Sequence, residues 1–188
     1  MVRERTDDDL PGCVAALRTV QAVHGYPTAW PADPAGWLSP AGLVAAWVAG
    51  PAGENPEGEI IGHVAVVAAA DEAVAAYTGT PPDRLVAVTR LFAVPAVRGR
   101  GTGAALLAAV TAHAADAGRR LWLDVIDEGG PAIALYERLG WRLVDRRPAG
   151  RLGAAGRPPP DGPGLPGTDR VVSGRGSGSA PAWCRRAS

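Results

Sequence analysis

Apolar and polar positions along the chain change period several times, and each change marks an element. Residues 2–5 read as a short first strand, and Thr6-Asp7-Asp8-Asp9 then offers caps for a helix over 8–23. Within that helix Leu10, Val14, Leu17 and Val20 recur at helical spacing. A Pro-rich loop with Tyr26 and Trp30 comes next, followed by a short helical or turn region holding Trp37 and Trp47 that leads to a strand near 45–49. Residues 51–58 read as a hairpin loop, 60–70 as a strongly apolar strand, and Pro81-Pro82-Asp83 as a break. A long apolar strand over 85–94 follows, then a helix over 102–117 with Leu106, Leu107, Val110 and Ala114 on one side and Gly118 as its stop. The pattern ends with a strand over 121–126, a short helix over 131–139 and a strand over 141–146. Strands first, then strand–helix–strand, predict a mixed α/β (α+β) sheet flanked by helices.

From Pro148 the pattern is lost. The last 41 residues hold 9 Gly and 7 Pro, and only Arg170-Val171-Val172 resembles a strand. Such a composition buries too little apolar area to offset its ordering entropy, so residues 148–188 are expected to be a largely disordered tail behind a domain of residues 1–147. Charge divides at the same place. Residues 1–147 hold 13 arginines against 17 acids, and the tail holds 6 against 2, so the formal net charge of zero hides an acidic body and a basic tail. A shift of reading frame near residues 148–151 would account for both changes.

The rest of the composition mainly excludes. The length of 188 residues and 47% hydrophobic content suit one ordinary domain with a real core. No run is long enough for a membrane span, and the start turns acidic where a secretory signal would be apolar, which predicts a cytoplasmic protein. An acidic body argues against a nucleic-acid partner. Lysine is absent, so no phosphate-binding loop of the GxxxxGK[ST] kind can exist. Cys13 and Cys184 lie far apart and His24, His63 and His113 are scattered, which predicts free thiols, ordinary histidines and no metal site.

The chemistry concentrates between the strand over 85–94 and the helix after it. There, Arg98-Gly99-Arg100-Gly101-Thr102-Gly103-Ala104 sets three alternating glycines beside two arginines at a helix start. Free backbone N–H groups, close approach allowed by glycine and the positive end of a helix dipole together favour a phosphate or pyrophosphate. The spacing also fits the dinucleotide fingerprint GxGxxA, with Asp124 as its acidic partner. That fold, however, places its glycines directly after its first strand, and here nearly a hundred residues precede them.

These residues resemble a known family. Arg98-Gly99-Arg100-Gly101-Thr102-Gly103 is similar to the R/Q-x-x-G-x-G/A loop of GCN5-related N-acetyltransferases, the GNAT family. Leu91-Phe92-Ala93-Val94-Pro95 resembles the family's fourth strand. Leu123-x-Val125, followed by Ala132-x-x-Leu135-Tyr136-x-x-x-Gly140-Trp141, resembles the second half of its signature.

The resemblance implies acetyl-CoA lying between two splayed parallel strands, with direct attack of an amine on the thioester and no metal. It places the pyrophosphate on Arg98, Gly99, Arg100, Gly101, Thr102, Gly103 and Ala104, and the pantetheine on the backbone of Phe92, Ala93 and Val94. Tyr136 is implied to protonate, or hydrogen-bond to, the departing thiolate, with a packing role as the alternative. Where the family often has Asn, this chain has Gly129. Asp124, Asp127 and Glu128 are acids that could serve a base through water, or simply be solvated. Tyr26, Trp30 and Trp37 occupy the acceptor side, as an aromatic wall for a cationic amine or as loop anchors. The acceptor would be a small-molecule amine or a protein amino group, and a homodimer is one arrangement open to the chain. A non-catalytic, degenerate acyl-CoA-binding member is the alternative reading. The family's sheet ends in a seventh strand, and the composition after Pro148 predicts that this chain lacks it.

Overall fold

The computed structural model describes residues 1–50, 59–126, 131–148 and 168–173. The order is β1 (Val2–Glu4), α1 (Leu10–His24), α2 (Pro34–Leu38), β2 (Leu43–Ala49), β3 (Gly62–Ala68), α3 (Glu72–Thr78), β4 (Leu85–Ala93), α4 (Thr102–Asp116), β5 (Arg120–Ile126), α5 (Pro131–Arg138), β6 (Arg142–Pro148) and β7 (Thr168–Ser173). The expected hairpin loop at 51–58 lies outside the described residues.

Local chemistry sets the helix ends. Ahead of α1, the Asp9 carboxylate accepts from the Thr6 N–H at 2.7 Å and from Nη1 of Arg3 at 2.7 Å. That bond to Arg3 holds the Asp9 pKa down at about 2. Gly25 closes α1 in the left-handed region at φ 65°. Helix α3, absent from the sequence reading, is framed by the Asp71 carboxylate, which accepts from the Val74 N–H at 3.0 Å, and by Gly79 at φ 65°.

All seven strands form one sheet in the order β1-β2-β3-β4-β5-β7-β6. Only the β4–β5 pair is parallel. The expectation that the sheet lacks its final strand is corrected: β7 runs antiparallel between β5 and β6, pairing Leu123 with Val172 on one side and Leu143 with Val172 on the other. A short, breaker-flanked segment becomes a strand here because two neighbours supply ladders at once. The remaining tail residues, 149–167 and 174–188, lie outside the described residues. β6 is thus an edge strand, and its Arg142, Asp145 and Arg146 are the kind of charges that discourage edge-to-edge pairing.

One irregularity in β4 shapes everything that follows. Its register with β3 shifts between His63↔Phe92 and Ala65↔Thr89, so β4 carries one extra residue, a β-bulge. The bulge exchanges the faces of the strand. Before it, Val86 and Val88 pack with Leu106, Leu107 and Val110 of α4. After it, Leu91 takes that side, and Phe92 and Val94 pack instead with Cys13, Leu17 and Val20 of α1 and Leu38 of α2. A third cluster joins Val74 of α3 to Leu85, Ala87 and Trp122.

Candidate functional site

β4 and β5 pair only over Leu85–Ala87 and Arg120–Trp122, after which their ladder stops. Val88 to Ala93 and Leu123 to Ile126 therefore border a cleft that opens toward the C-terminal ends of two parallel strands, the common ligand position in α/β sheets. Within β4, the Val94 N–H donates to the Ile61 carbonyl at 2.9 Å, across the Gly62↔Ala93 pair. In an antiparallel ladder this makes Gly62↔Ala93 a non-hydrogen-bonded pair, so the Ala93 N–H and C=O point away from β3, toward the cleft. Of Phe92, Ala93 and Val94, only Ala93 thus offers its backbone there.

The glycine turn follows directly. Gly99 and Gly101 sit at φ 75° and 83°, where an L side chain is strained, and a Cβ on either would meet open space. The Arg98 and Arg100 N–H groups turn inward to Pro95 and Val97 carbonyls, both at 3.2 Å. Helix geometry leaves the N–H groups of Gly101, Thr102, Gly103 and Ala104 without intrahelical acceptors at the start of α4. The Arg98 and Arg100 side chains are exposed beside them. Gly62 and Gly103 serve packing instead. A Cβ on Gly62 would meet Leu106 at 3.1 Å, and one on Gly103 would meet Leu135 at 3.3 Å, so small residues seat α4 against β3 and α5.

α5 carries Tyr136, buried and tilted against Trp141 at 5.8 Å between ring centres. Burial, helped by the nearby Tyr26 hydroxyl, pushes its pKa up to about 12, so it holds its proton at neutral pH.

The three aromatic residues expected on the acceptor side, Tyr26, Trp30 and Trp37, do not form one wall. Trp30 lies under Arg18 of α1 at 4.6 Å, as a loop anchor. Tyr26 and Trp37 meet edge to face at 5.9 Å, and the Arg90 guanidinium covers the Trp37 ring at 3.9 Å. Arg90 also donates from Nε to the Trp37 carbonyl at 3.1 Å and hydrogen-bonds the Tyr26 hydroxyl oxygen. More than a third of Tyr26 is exposed, yet loss of water around its hydroxyl still raises its pKa, against the pull of Arg90.

Sequence reasoning passed over Arg90, His63 and Arg5. Fully buried His63 stacks on Phe92 and bridges two groups. Its Nδ1 lies 3.0 Å from the Arg90 carbonyl and its Nε2 3.1 Å from Nη1 of Arg5. A carbonyl only accepts and a guanidinium only donates, so the ring must be neutral with its proton on Nδ1. Burial lowers its pKa to about 4, in agreement. Arg5 is fixed in turn by the Leu38 carbonyl and Ser39 Oγ, each at 2.7 Å. The available signal was a lone Arg and a lone His inside otherwise apolar strands. Asp124 lies partly buried on β5, whereas Asp127, Glu128 and Gly129 fall outside the described residues.

The sequence profile of the acetyltransferase (GNAT) family matches residues 14–141. The chain belongs to that family. As a GNAT acetyltransferase it takes its acetyl group from acetyl-CoA and passes it to an amine, of a small molecule or of a protein. No curated protein sequence matches closely enough to count as a relative. Similar solved folds include Arabidopsis thaliana NAA60 in complex with acetyl-CoA, at 20% identity and TM-score 0.64, covering 92% of this chain and 96% of that one. The ribosomal-protein-S18-alanine N-acetyltransferase from Escherichia coli is similar at 16% identity and TM-score 0.62, covering 98% and 99%. A putative phosphinothricin N-acetyltransferase is similar at 20% identity and TM-score 0.63, covering 95% and 99%. Among the described residues no helix is long and apolar enough to cross a membrane, and no group of three His, Cys, Asp or Glu could hold a metal.

Proposed function

We propose that this GNAT acetyltransferase carries out N-acetyl transfer in the cleft between β4 and β5, with the residues below in the following roles. The observation that carries the reading is the parting of these strands after Ala87 and Trp122, directly ahead of a left-handed glycine turn. The N–H groups of Gly99, Gly101, Thr102, Gly103 and Ala104 receive the pyrophosphate, and Arg98 and Arg100 add charge from the rim. Ala93 pairs with the pantetheine amide like an added strand, while Phe92 and Val94 tie this part of β4 to β3 and α1.

Acetyl-CoA supplies an activated thioester. The chain's own work is to align it, admit a neutral amine whose surplus proton passes to water as the C–N bond forms and the C–S bond breaks, and protonate the sulfur that leaves, Tyr136 regaining its proton from water. Tyr136 is the proton donor: a phenol with pKa near 12 is fully protonated at neutral pH, and a thiolate needs only modest help to depart. Tyr26 and Trp37 line the acceptor side and Trp30 does not. Residues 1–147 with β7 act as one domain, and the reaction takes place in the cytoplasm without nucleic acid.

Calorimetric titration of acetyl-CoA into the full chain, followed by a thiol-release assay over a broad amine panel, tests this. One micromolar site with amine-dependent release of CoA is expected. Binding without turnover on any amine would overturn it in favour of a non-catalytic member.

A further inference from the structure

The bulge in β4 carries a guanidinium at the border of the cleft. Arg90 is the non-glycine residue at positive φ, 55°, among those described, and the extra residue in β4 turns its side chain to the α2 side, over Trp37. Such a backbone persists only when its surroundings fix it. Here the fixing is explicit: neutral His63, itself held by Arg5, donates to the Arg90 carbonyl.

The head of Arg90 is equally fixed, but only by neutral groups. Its contacts are the Trp37 carbonyl, the Trp37 ring and the Tyr26 hydroxyl oxygen, and no carboxylate meets it among the described residues. A guanidinium has five N–H donors, so two such bonds leave three unspent. A partly buried cation without a counter-charge is costly unless something anionic arrives. Tyr26 touches Arg90, and Arg90 lies on the Val88–Ala93 stretch of β4 that has parted from β5, so this cation stands at the border of the cleft.

We propose that Arg90 selects acceptors that carry a carboxylate next to the amine, as a free amino acid does. This rests on the acetyl-transfer reading above and names its substrate class. Arg90 covers the Trp37 face that a cationic amine would use, and its charge repels polyamines and lysine-rich peptides. A protein amino terminus lacks the carboxylate, since a peptide carbonyl stands in its place. Arg90 is a specificity-determining residue, prepositioned by His63 and Trp37, so the anion meets donors already in place.

The test compares kcat/KM for free amino acids with that for the corresponding amino-acid amides, in the wild type and in Arg90→Gln and Arg90→Lys. We expect the wild type to favour the carboxylate about 10- to 100-fold, as hydrogen bonds to a charged group imply. The ratio should collapse toward one in Arg90→Gln and fall between in Arg90→Lys, with acetyl-CoA affinity reporting that each variant is folded. Amides, peptides or polyamines used as well as amino acids by the wild type would overturn the proposal, as would equal loss on both acceptors in Arg90→Gln. If no amine turns over, titration of N-acetyl amino acids and N-acetyl amino-acid amides into the CoA-bound protein still decides. Binding of the carboxylate series alone, lost in Arg90→Gln, supports the Arg90 assignment even if transfer fails, and binding of neither or of both equally overturns it.

Discussion

The two halves proposed for the cleft, one for the donor and one for the acceptor, are built from different materials. The donor half is backbone: the Ala93 edge, two left-handed glycines and the first turn of α4, all contiguous in sequence. The acceptor half is side chains gathered from afar: Arg5 beyond β1, Tyr26 and Trp37 around α2, His63 on β3 and Arg90 on β4. Backbone N–H groups bind whatever phosphate the loop geometry admits, and a side-chain assembly can be re-specified one residue at a time. On the proposed reading a shared donor and a private acceptor are served by two separable devices. Substitutions should separate them too.

The largest effect is expected on the acceptor half in acid. His63 has a pKa of about 4 when folded against 6.5 when exposed. Between these values the unfolded chain takes up a proton that the native chain refuses, so stability is full above about pH 6.5 and is lost as pH falls toward 4. The span corresponds to about 3 kcal/mol, read as a fall in the denaturation midpoint between pH 7.5 and pH 4. A His63→Gln variant should lack most of that pH dependence.

Next in size is the point where the halves meet. Tyr136→Phe should lower kcat about 100-fold while leaving the acetyl-CoA Kd within about twofold, a split that steady-state kinetics with calorimetry would show. An unchanged kcat would make Tyr136 a packing residue of α5.

On the donor half, Gly101→Ala places a Cβ in open space but on a backbone at φ 83°. The strain, about 1–2 kcal/mol, should appear as an acetyl-CoA Kd weakened about 5- to 30-fold, with the carboxylate preference unchanged. The smallest effect lies outside the cleft. Asp9→Ala removes the carboxylate that ties the Thr6 N–H and Arg3 to the turn ahead of α1 and should cost about 1 kcal/mol in thermal or denaturant unfolding, with neither ligand affected. Because Arg3 holds the Asp9 pKa at about 2, that contribution is present above about pH 4 and is lost as pH falls through about 2.

This contrast also explains what the sequence revealed. The turn from Arg98 to Ala104 was legible because its function is local: the glycines, the arginines and the helix start are consecutive. The Thr6–Asp9 turn ahead of α1 was legible for the same reason. Trp30 and Trp37 look alike in sequence and separate only when Arg18 and Arg90 arrive from elsewhere to cover them. Arg90 and His63 were hidden by their apolar strands, since the bulge that turns Arg90 toward α2 is a matter of register between two strands. Helix α3 carried both its signals, Asp71 and Gly79, but at seven residues it is too short for an apolar period to show, and the residues directly after 70 receive no element from the sequence pattern. β7 showed only Arg170-Val171-Val172 as strand-like, too short a run to read as an element, because it gains its stability from pairing on both sides.

That last strand also dictates an order of assembly. β6 has its ladder with β7 alone, so it has no place in the sheet until a segment made later in synthesis slides in beside β5. The earlier strand is therefore the later to settle. Folding of this edge waits on a contact between distant parts of the chain, and such contacts form slowly. Once closed, β6 depends on β7: whatever releases β7 strands β6 with it and leaves β5, one wall of the cleft, as a bare margin.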